Sequence, residues 1–422
     1  MSVKVIVGAQ FGDEGKGKVV DYLAKAADMV VRFQGGDNAG HTVMNECGTF
    51  KLHLIPCGIF NKECVCLIGN GTAVNPDVLI EEIQMLRRNN ISVKKLFVSS
   101  KAQVVMPYHV TLDVSMEKKA GIGTTKRGIG WCYADKFLRK NFRMSDLSNP
   151  ECRQPKLHEY LPLINAELRF FGAPEVSEKM LLLKMRGWSD ALSPLICDEF
   201  SLLHGFLNEE KNVLFEGQLG VMKDIDLGIY PYVTSSNPVA AYAAVSGGFP
   251  ASKIGGICGV AKAFVSAVGD GPFPTEMSDE KSAALRGDGT AADDEYGART
   301  GRARRLGWFD IPMLKYAHAV NGFTEIALTK LDKLDTLDTI KICTSYMLNG
   351  EVTESMPDTN DLYRIKPIFK EFEGWMQGTS ECKSFEMLPR AAKAYIQFIE
   401  QKIGVPIRYI GNGPFRENII TR

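Results

Sequence analysis

The chain has 422 residues, with 50 Lys and Arg against 50 Asp and Glu, so no net field favours nucleic acid or an anionic membrane. Hydrophobic residues make up 45% and charged residues 24%, an ordinary globular balance, and no apolar run is long enough to span a bilayer. The length is large for one core, so one large domain with subdomains or two domains is expected; of these, one α/β catalytic domain over 1–422 with inserted helical subdomains at roughly 100–200 is the expectation.

The first element is the strand "VKVIVG" at Val3, with no charged-then-apolar leader ahead of it, which points to the cytoplasm. It runs into "AQFGDEGKGK", a phosphate-binding loop with an oddity. Gly15-Lys16 should be followed by Ser or Thr to hold Mg²⁺, but Gly17 follows, and the loop carries Asp13 and Glu14. Glycines at 8, 12, 15 and 17 let amides approach an anion, and the next helix aims its N-terminus at it. An acid beside phosphate is costly unless it also serves a metal or a proton. Asp13 could ligate Mg²⁺ in place of the hydroxyl and act as a base.

The strand "MVVRF" leads into a second glycine loop, "QGGDNAGHT", Gln34 to Thr42, whose polar members are Asn38 and His41. Ligands of α/β sheets bind at such strand ends. "CVCLIGN" and "KLFVSS" read as further strands. Between them Asn75 caps a helix, Pro76 takes its first turn, and Leu79, Ile80, Ile83 and Leu86 form an apolar stripe ending at Arg87-Arg88. The third loop, "GIGTTKRGIG" from Gly121 to Gly130, offers Thr124 and Thr125 to a phosphate.

"NVLFEG", "IGGICGVAK", "TEIALTKLD" and "IKICTSYML" complete the strands. Strands alternating with helices, several apolar throughout, argue an α/β fold with a largely parallel central sheet flanked by helices. The polar stretch "RGDGTAADDEYG" reads as loop. The fourth loop, "GARTGRARR", gathers Arg299, Arg302, Arg304 and Arg305, a set suited to carboxylate or phosphate. "TKLDKLD" resembles the guanine-reading element in which an Asp carboxylate, here Asp332, accepts from the base while the Lys330 stem lies on it. The ten cysteines sit mostly in apolar contexts, as reduced buried thiols do, and no CxxC pair suggests zinc.

Taken in order, these loops resemble the adenylosuccinate synthetase family over nearly the whole chain. "GAQFGDEGKGK", "GGDNAGHT", "GIGTTKRGIG", "DIDLGIYPYVTSSNP", "GPFPTE", "TGRARRLGW", "TKLD" and "GNGPFR" each match one of its blocks. The resemblance implies a P-loop-like, GTP-dependent ligase of purine biosynthesis that joins IMP and L-aspartate through 6-phosphoryl-IMP. It implies Asp13 as base, His41 as acid and Lys16 on the phosphates. Mg²⁺ would be held by Asp13 and the Gly40 carbonyl. It places GTP against Gly12, Glu14, Gly15, Lys16, Gly17, Lys18, Gly40, Thr42, Arg304, Lys330, Asp332, Gly411, Asn412 and Gly413. The nucleotide substrate falls to Asn38, Ala39, Thr125, Gln218, Leu219, Thr234 and Arg302, and the amino acid to Val268, Arg299, Thr300, Arg302 and Arg304. Arg139 would reach the nucleotide of a neighbouring subunit, which implies a homodimer.

The chain departs from the family pattern at Leu219 (usually Gln), Ala267 (usually Arg), Arg299 (usually Thr) and Asp37 (usually Asn). These changes fall on the nucleotide and amino-acid pockets and keep open a paralogue that joins another purine-like nucleotide or another amino acid. A non-catalytic GTP-binding regulator is the reading from a different class. The retained Asp13 and His41 argue against it, since a pure binder needs neither.

Overall fold

The computed structural model describes residues 3–38, 40–120, 123–297 and 301–422. Ten strands build the main sheet: β1 Val3–Gly8, β2 Met29–Arg32, β3 Val65–Ile68, β4 Leu96–Ser99, β5 Ile196–Cys197, β6 Val213–Gly220, β7 Ile254–Lys262, β8 Glu325–Thr329, β9 Ile407–Gly411 and β10 Ile419–Thr421. Their order is β10-β9-β8-β7-β1-β6-β2-β3-β4-β5. Each neighbouring pair is parallel except β9 with β10.

The apolar strands are buried on both faces. Val3, Val5 and Val7 of β1 join one core cluster while Ile6 joins the other; Phe215 and Leu214 of β6 divide in the same way. Successive side chains of a strand point to opposite faces, so both faces need apolar residues and a cover. Helices concentrate between Pro107 and Asn208. The helix Pro76–Arg88 has the ends read from sequence, with Asn75 Oδ1 accepting from the Val78 amide. "IKICTSYML" is a strand, Thr339–Leu348, but it lies outside the main sheet and pairs antiparallel with Lys366–Glu373.

Parallel strands put all their C-terminal ends on one edge. Five adjacent strands, β8, β7, β1, β6 and β2, therefore deliver their loops to one place. Among the described residues no helix is long and apolar enough to cross a membrane.

Candidate active site

Two cavities open along that edge. The first, about 430 Å³, is lined by Lys16, His41, Arg304, Lys330 and Asp332 among others. The second, about 570 Å³, is lined by Asn38, Thr125, Thr234, Val268 and Arg302 among others. Asp13, Gly40, Leu219 and Gly297 line both. The two cavities thus share a wall, and Asp13 is its carboxylate.

The loop after β1 is shaped from within. Gly15 caps the helix Lys16–Leu23 in the left-handed region, at φ 86°. A Cβ on Gly17 would stand 2.8 Å from the His41 Cβ, so only glycine lets the two loops meet. Glu14 is wholly buried and lines neither cavity. Its carboxylate accepts from the amides of Gln10 (3.1 Å) and Gly12 (2.9 Å) and pairs with Lys16. The expected GTP contact at Glu14 is therefore a brace: the loop's own donors consume the carboxylate. Lys18 borders the first cavity, but its ammonium is spent on the carbonyls of Gly413 (2.6 Å) and Asn418 (3.0 Å), and burial pushes it down to about 8.

Asp13 Oδ2 accepts from Arg304 Nε at 3.0 Å. Burial alone would raise this carboxyl, but the charges of Arg304, Lys262 and Lys16 outweigh it and hold Asp13 below the ordinary aspartate range. Arg304 is itself held at 2.9 Å by Glu295, which also takes Lys262 at 2.7 Å and Lys330. Glu295 stays well ionised despite full burial because three cations surround it. Burial lowers Lys262 to about 7.

His41 has a second carboxylate behind it. Its Nδ1 lies 2.5 Å from Glu216 Oε1, and Arg32 Nη1 reaches the same oxygen at 2.8 Å. Glu216 Oε2 accepts from the Cys57 amide at 2.8 Å. An ionised carboxylate only accepts, so Nδ1 carries the ring proton and Nε2 is the free lone pair. Nε2 is buried without a partner and His41 borders the first cavity. Burial and the Arg32 charge lower the imidazole to about 4, against the pull of Glu216. His41, Cys57 and Glu216 have the proximity of a metal cluster. The Arg32 guanidinium, 3.0 Å from Nδ1, already supplies the cation there.

At the far end of the first cavity, Asp332 Oδ1 is buried with no partner, and burial raises the carboxyl. Lys330 adopts φ 57° beside it. Asn412 points away, donating to the carbonyls of Thr379 (2.7 Å) and Cys382 (2.9 Å), so Gly413 and Pro414 form the wall instead of Gly411 and Asn412.

In the second cavity Asn38 lies 3.5 Å from the Thr234 hydroxyl. Gln218 lines neither cavity: it accepts from Arg32 Nη2 at 2.7 Å and donates to Asn38 at 2.6 Å, so it steadies Asn38 from behind. Leu219, at φ 59°, takes the wall position that the sequence gives to an apolar side chain. Arg139 is exposed at φ 63° and borders neither cavity. Ala39, Arg299 and Thr300 lie outside the described residues.

Sequence reading passed over Glu216, Arg32, Glu295 and Lys262. The first two carried a signal: each is a lone charge in an apolar strand, and β6 and β2 pair in the register that sets Glu216 beside Arg32.

Comparison with known proteins shows the family. The family model for adenylosuccinate synthetase matches residues 5–420. The chain is 53% identical over 424 residues to adenylosuccinate synthetase 1 of Methanosarcina acetivorans, covering 100% of both. It is 45% identical over 428 residues to the adenylosuccinate synthetase of Caldanaerobacter subterraneus subsp. tengcongensis, covering 100% of this chain and 99% of that one. The solved structure of fully ligated adenylosuccinate synthetase from Plasmodium falciparum matches with a TM-score of 0.94 at 36% identity, covering 100% of both chains.

Glu216→Gln keeps the side chain's shape and one acceptor oxygen, enough for Arg32 or for the Cys57 amide but not for both. Its kcat should fall about 10²–10⁴-fold with little change in KM, since His41 loses the carboxylate that fixes its tautomer. Initial-rate kinetics check this.

Proposed function

We propose residue roles from one premise: the chain belongs to the adenylosuccinate synthetase family, and it joins IMP and L-aspartate with GTP to give adenylosuccinate, GDP and phosphate. The observation that carries the reading is the shared wall. A base that activates one substrate toward another must face both, and Asp13 borders both cavities.

GTP occupies the first cavity. Its phosphates meet the amides of Gly15 to Gly17, Lys16 and Thr42. Its guanine N–H groups meet Asp332, whose orphaned oxygen supports that role, since a buried acceptor without a partner is costly. IMP occupies the second cavity, its phosphate against Asn38, Thr125 and Thr234. L-aspartate lies near Val268, Arg302 and Arg304, together with Arg299 and Thr300.

Asp13 takes the N1 proton of IMP, O6 attacks the γ-phosphorus, and GDP leaves. The α-amino group of aspartate then displaces phosphate at C6. Arg304 now clamps Asp13. An anion that draws Arg304 away would raise the proton affinity of Asp13 when a base is needed. His41 is neutral at rest. The incoming phosphoryl charge favours a proton on Nε2, and Glu216 stabilises the imidazolium from behind, so His41 can donate to the moving group. Position and charge do most of the work.

The Asp13 carboxylate and the Gly40 carbonyl are hard oxygen donors on the shared wall and fit Mg²⁺. Mg²⁺ held there would neutralise charge on the transferring phosphate. Arg139, exposed and lining neither cavity of its own chain, suits contact with the nucleotide of a second subunit in a homodimer. Ten cysteines, none in a disulfide, fit a reducing cytoplasm.

Asp13→Asn should still bind GTP, yet lose at least ~10²-fold in turnover, as removal of a general base does. Equilibrium GTP binding beside initial rates checks both halves. Asp332→Asn should weaken GTP and shift preference toward xanthine nucleotides, whose edge offers the complementary pattern; competition between GTP and XTP reads this. Mixing Arg139→Leu subunits with Asp13→Asn subunits should restore part of the activity that each lacks alone, measured after proven subunit exchange.

A further inference from the structure

Lys223 lies in the short 3₁₀ turn Val221–Lys223 that follows β6. The turn is pinned from both sides. Met222 donates its amide to the Gln10 carbonyl at 3.1 Å, and the Lys223 carbonyl accepts from the Thr234 amide at 2.8 Å. The side chain runs inward and lines the second cavity. Its ammonium donates to the Tyr232 carbonyl at 2.9 Å and lies 5.7 Å from the centre of the Phe11 ring. Among the described residues, no carboxylate comes within 4.0 Å of it, whereas Lys16, Lys262, Lys330 and Arg304 around the first cavity are all ion-paired.

An ammonium taken from water into such a place costs free energy that one neutral carbonyl does not recover. The other charged groups facing it are Arg305, which repels it, and Asp270, which attracts it from beyond ion-pair range. Arg305 is itself committed to Glu276 and the Gly271 carbonyl. Burial, ahead of the Arg305 charge, lowers the Lys223 ammonium to about 8. The half-buried ammonium thus faces the cavity with one neutral carbonyl acceptor and no ion pair among the described residues. Both substrates assigned to this cavity bring an anionic partner: the nucleotide a phosphate, the amino acid two carboxylates. Of the described groups assigned to the nucleotide, Asn38, Thr125 and Thr234 are neutral and Leu219 has no polar side-chain atom, so Arg302, assigned to both substrates, is the cation there besides Lys223.

We propose that Lys223 is a substrate-binding residue whose ammonium receives an anionic oxygen of the substrates, nucleotide phosphate or amino-acid carboxylate. The inference rests on the second cavity being the substrate cavity, so its test carries a control for that assignment.

The test is steady-state kinetics of Lys223→Met and Lys223→Arg with Mg²⁺, varying IMP, L-aspartate and GTP separately, with Thr125→Val as the cavity control. Lys223→Met is expected to raise the KM of one of the two anionic substrates at least ~10-fold, the loss of one charge-assisted hydrogen bond. The GTP KM should hold, and Lys223→Arg should recover most of the loss. Whichever KM moves, IMP or aspartate, names the oxygen. Should Lys223→Met fail to fold, Lys223→Gln replaces it under the same expectation. If the neutral variant leaves both KM values at the parent level while Thr125→Val raises that of IMP, Lys223 merely props the Tyr232 carbonyl and the proposal falls. If both variants are silent, the assignment of the cavity falls with it. A rise in all three KM values together also overturns the proposal, since it reports general damage.

Discussion

One buried carboxylate, Glu295, holds three cations at once, and the working geometry hangs from it. Lys262 comes from the end of β7, Lys330 from the end of β8, and Arg304 from the glycine-rich loop. Through Arg304 the network reaches Asp13. Burying one of these charges alone would be prohibitive, while burying them together is feasible because each has a partner. Of these cations Lys330 and Arg304 line the cavity assigned to a triphosphate.

The dyad behind His41 uses the same principle on the other side of β1. Glu216 on β6 and Arg32 on β2 meet because their strands are neighbours in register. The carboxylate then fixes the imidazole proton on Nδ1 and leaves Nε2 for the cavity. The groups proposed as acid and base are thus held by separate carboxylates. Glu295 acts on Asp13 through an arginine, and Glu216 touches His41 directly. A parallel sheet makes this possible by bringing five strand ends to one edge.

Much of this was legible in the sequence. Apolar strands alternating with helices gave the sheet, and the loops after β1 and β2 carried Asp13 and His41 to the place where ligands of such sheets bind. What sequence could not separate was inward from outward. Glu14 and Asp13 are adjacent acids in one loop, yet one is consumed by its own loop amides and the other faces both cavities. Gln218 and Leu219 trade places in the same manner, the amide turning inward and the apolar side chain outward. That choice depends on loop dihedrals, with Asp13 and Leu219 both at positive φ, and no composition or periodicity reports it. Glu295 sat in a stretch that reads as loop, because two of its three cationic partners, Lys262 and Lys330, lie more than thirty residues away on other strand ends.

The central claim is that surrounding cations hold the resting Asp13 ionised, ready to accept a proton. A ¹³C NMR titration of aspartate-labelled protein, with Asp13→Asn to assign the resonance, tests it most directly. The account predicts a carboxyl that titrates below the ordinary aspartate value of about 3.9 in the free protein, and that moves up when Arg304 is replaced by Met. A carboxyl titrating at or above that ordinary value in the unaltered protein would contradict it.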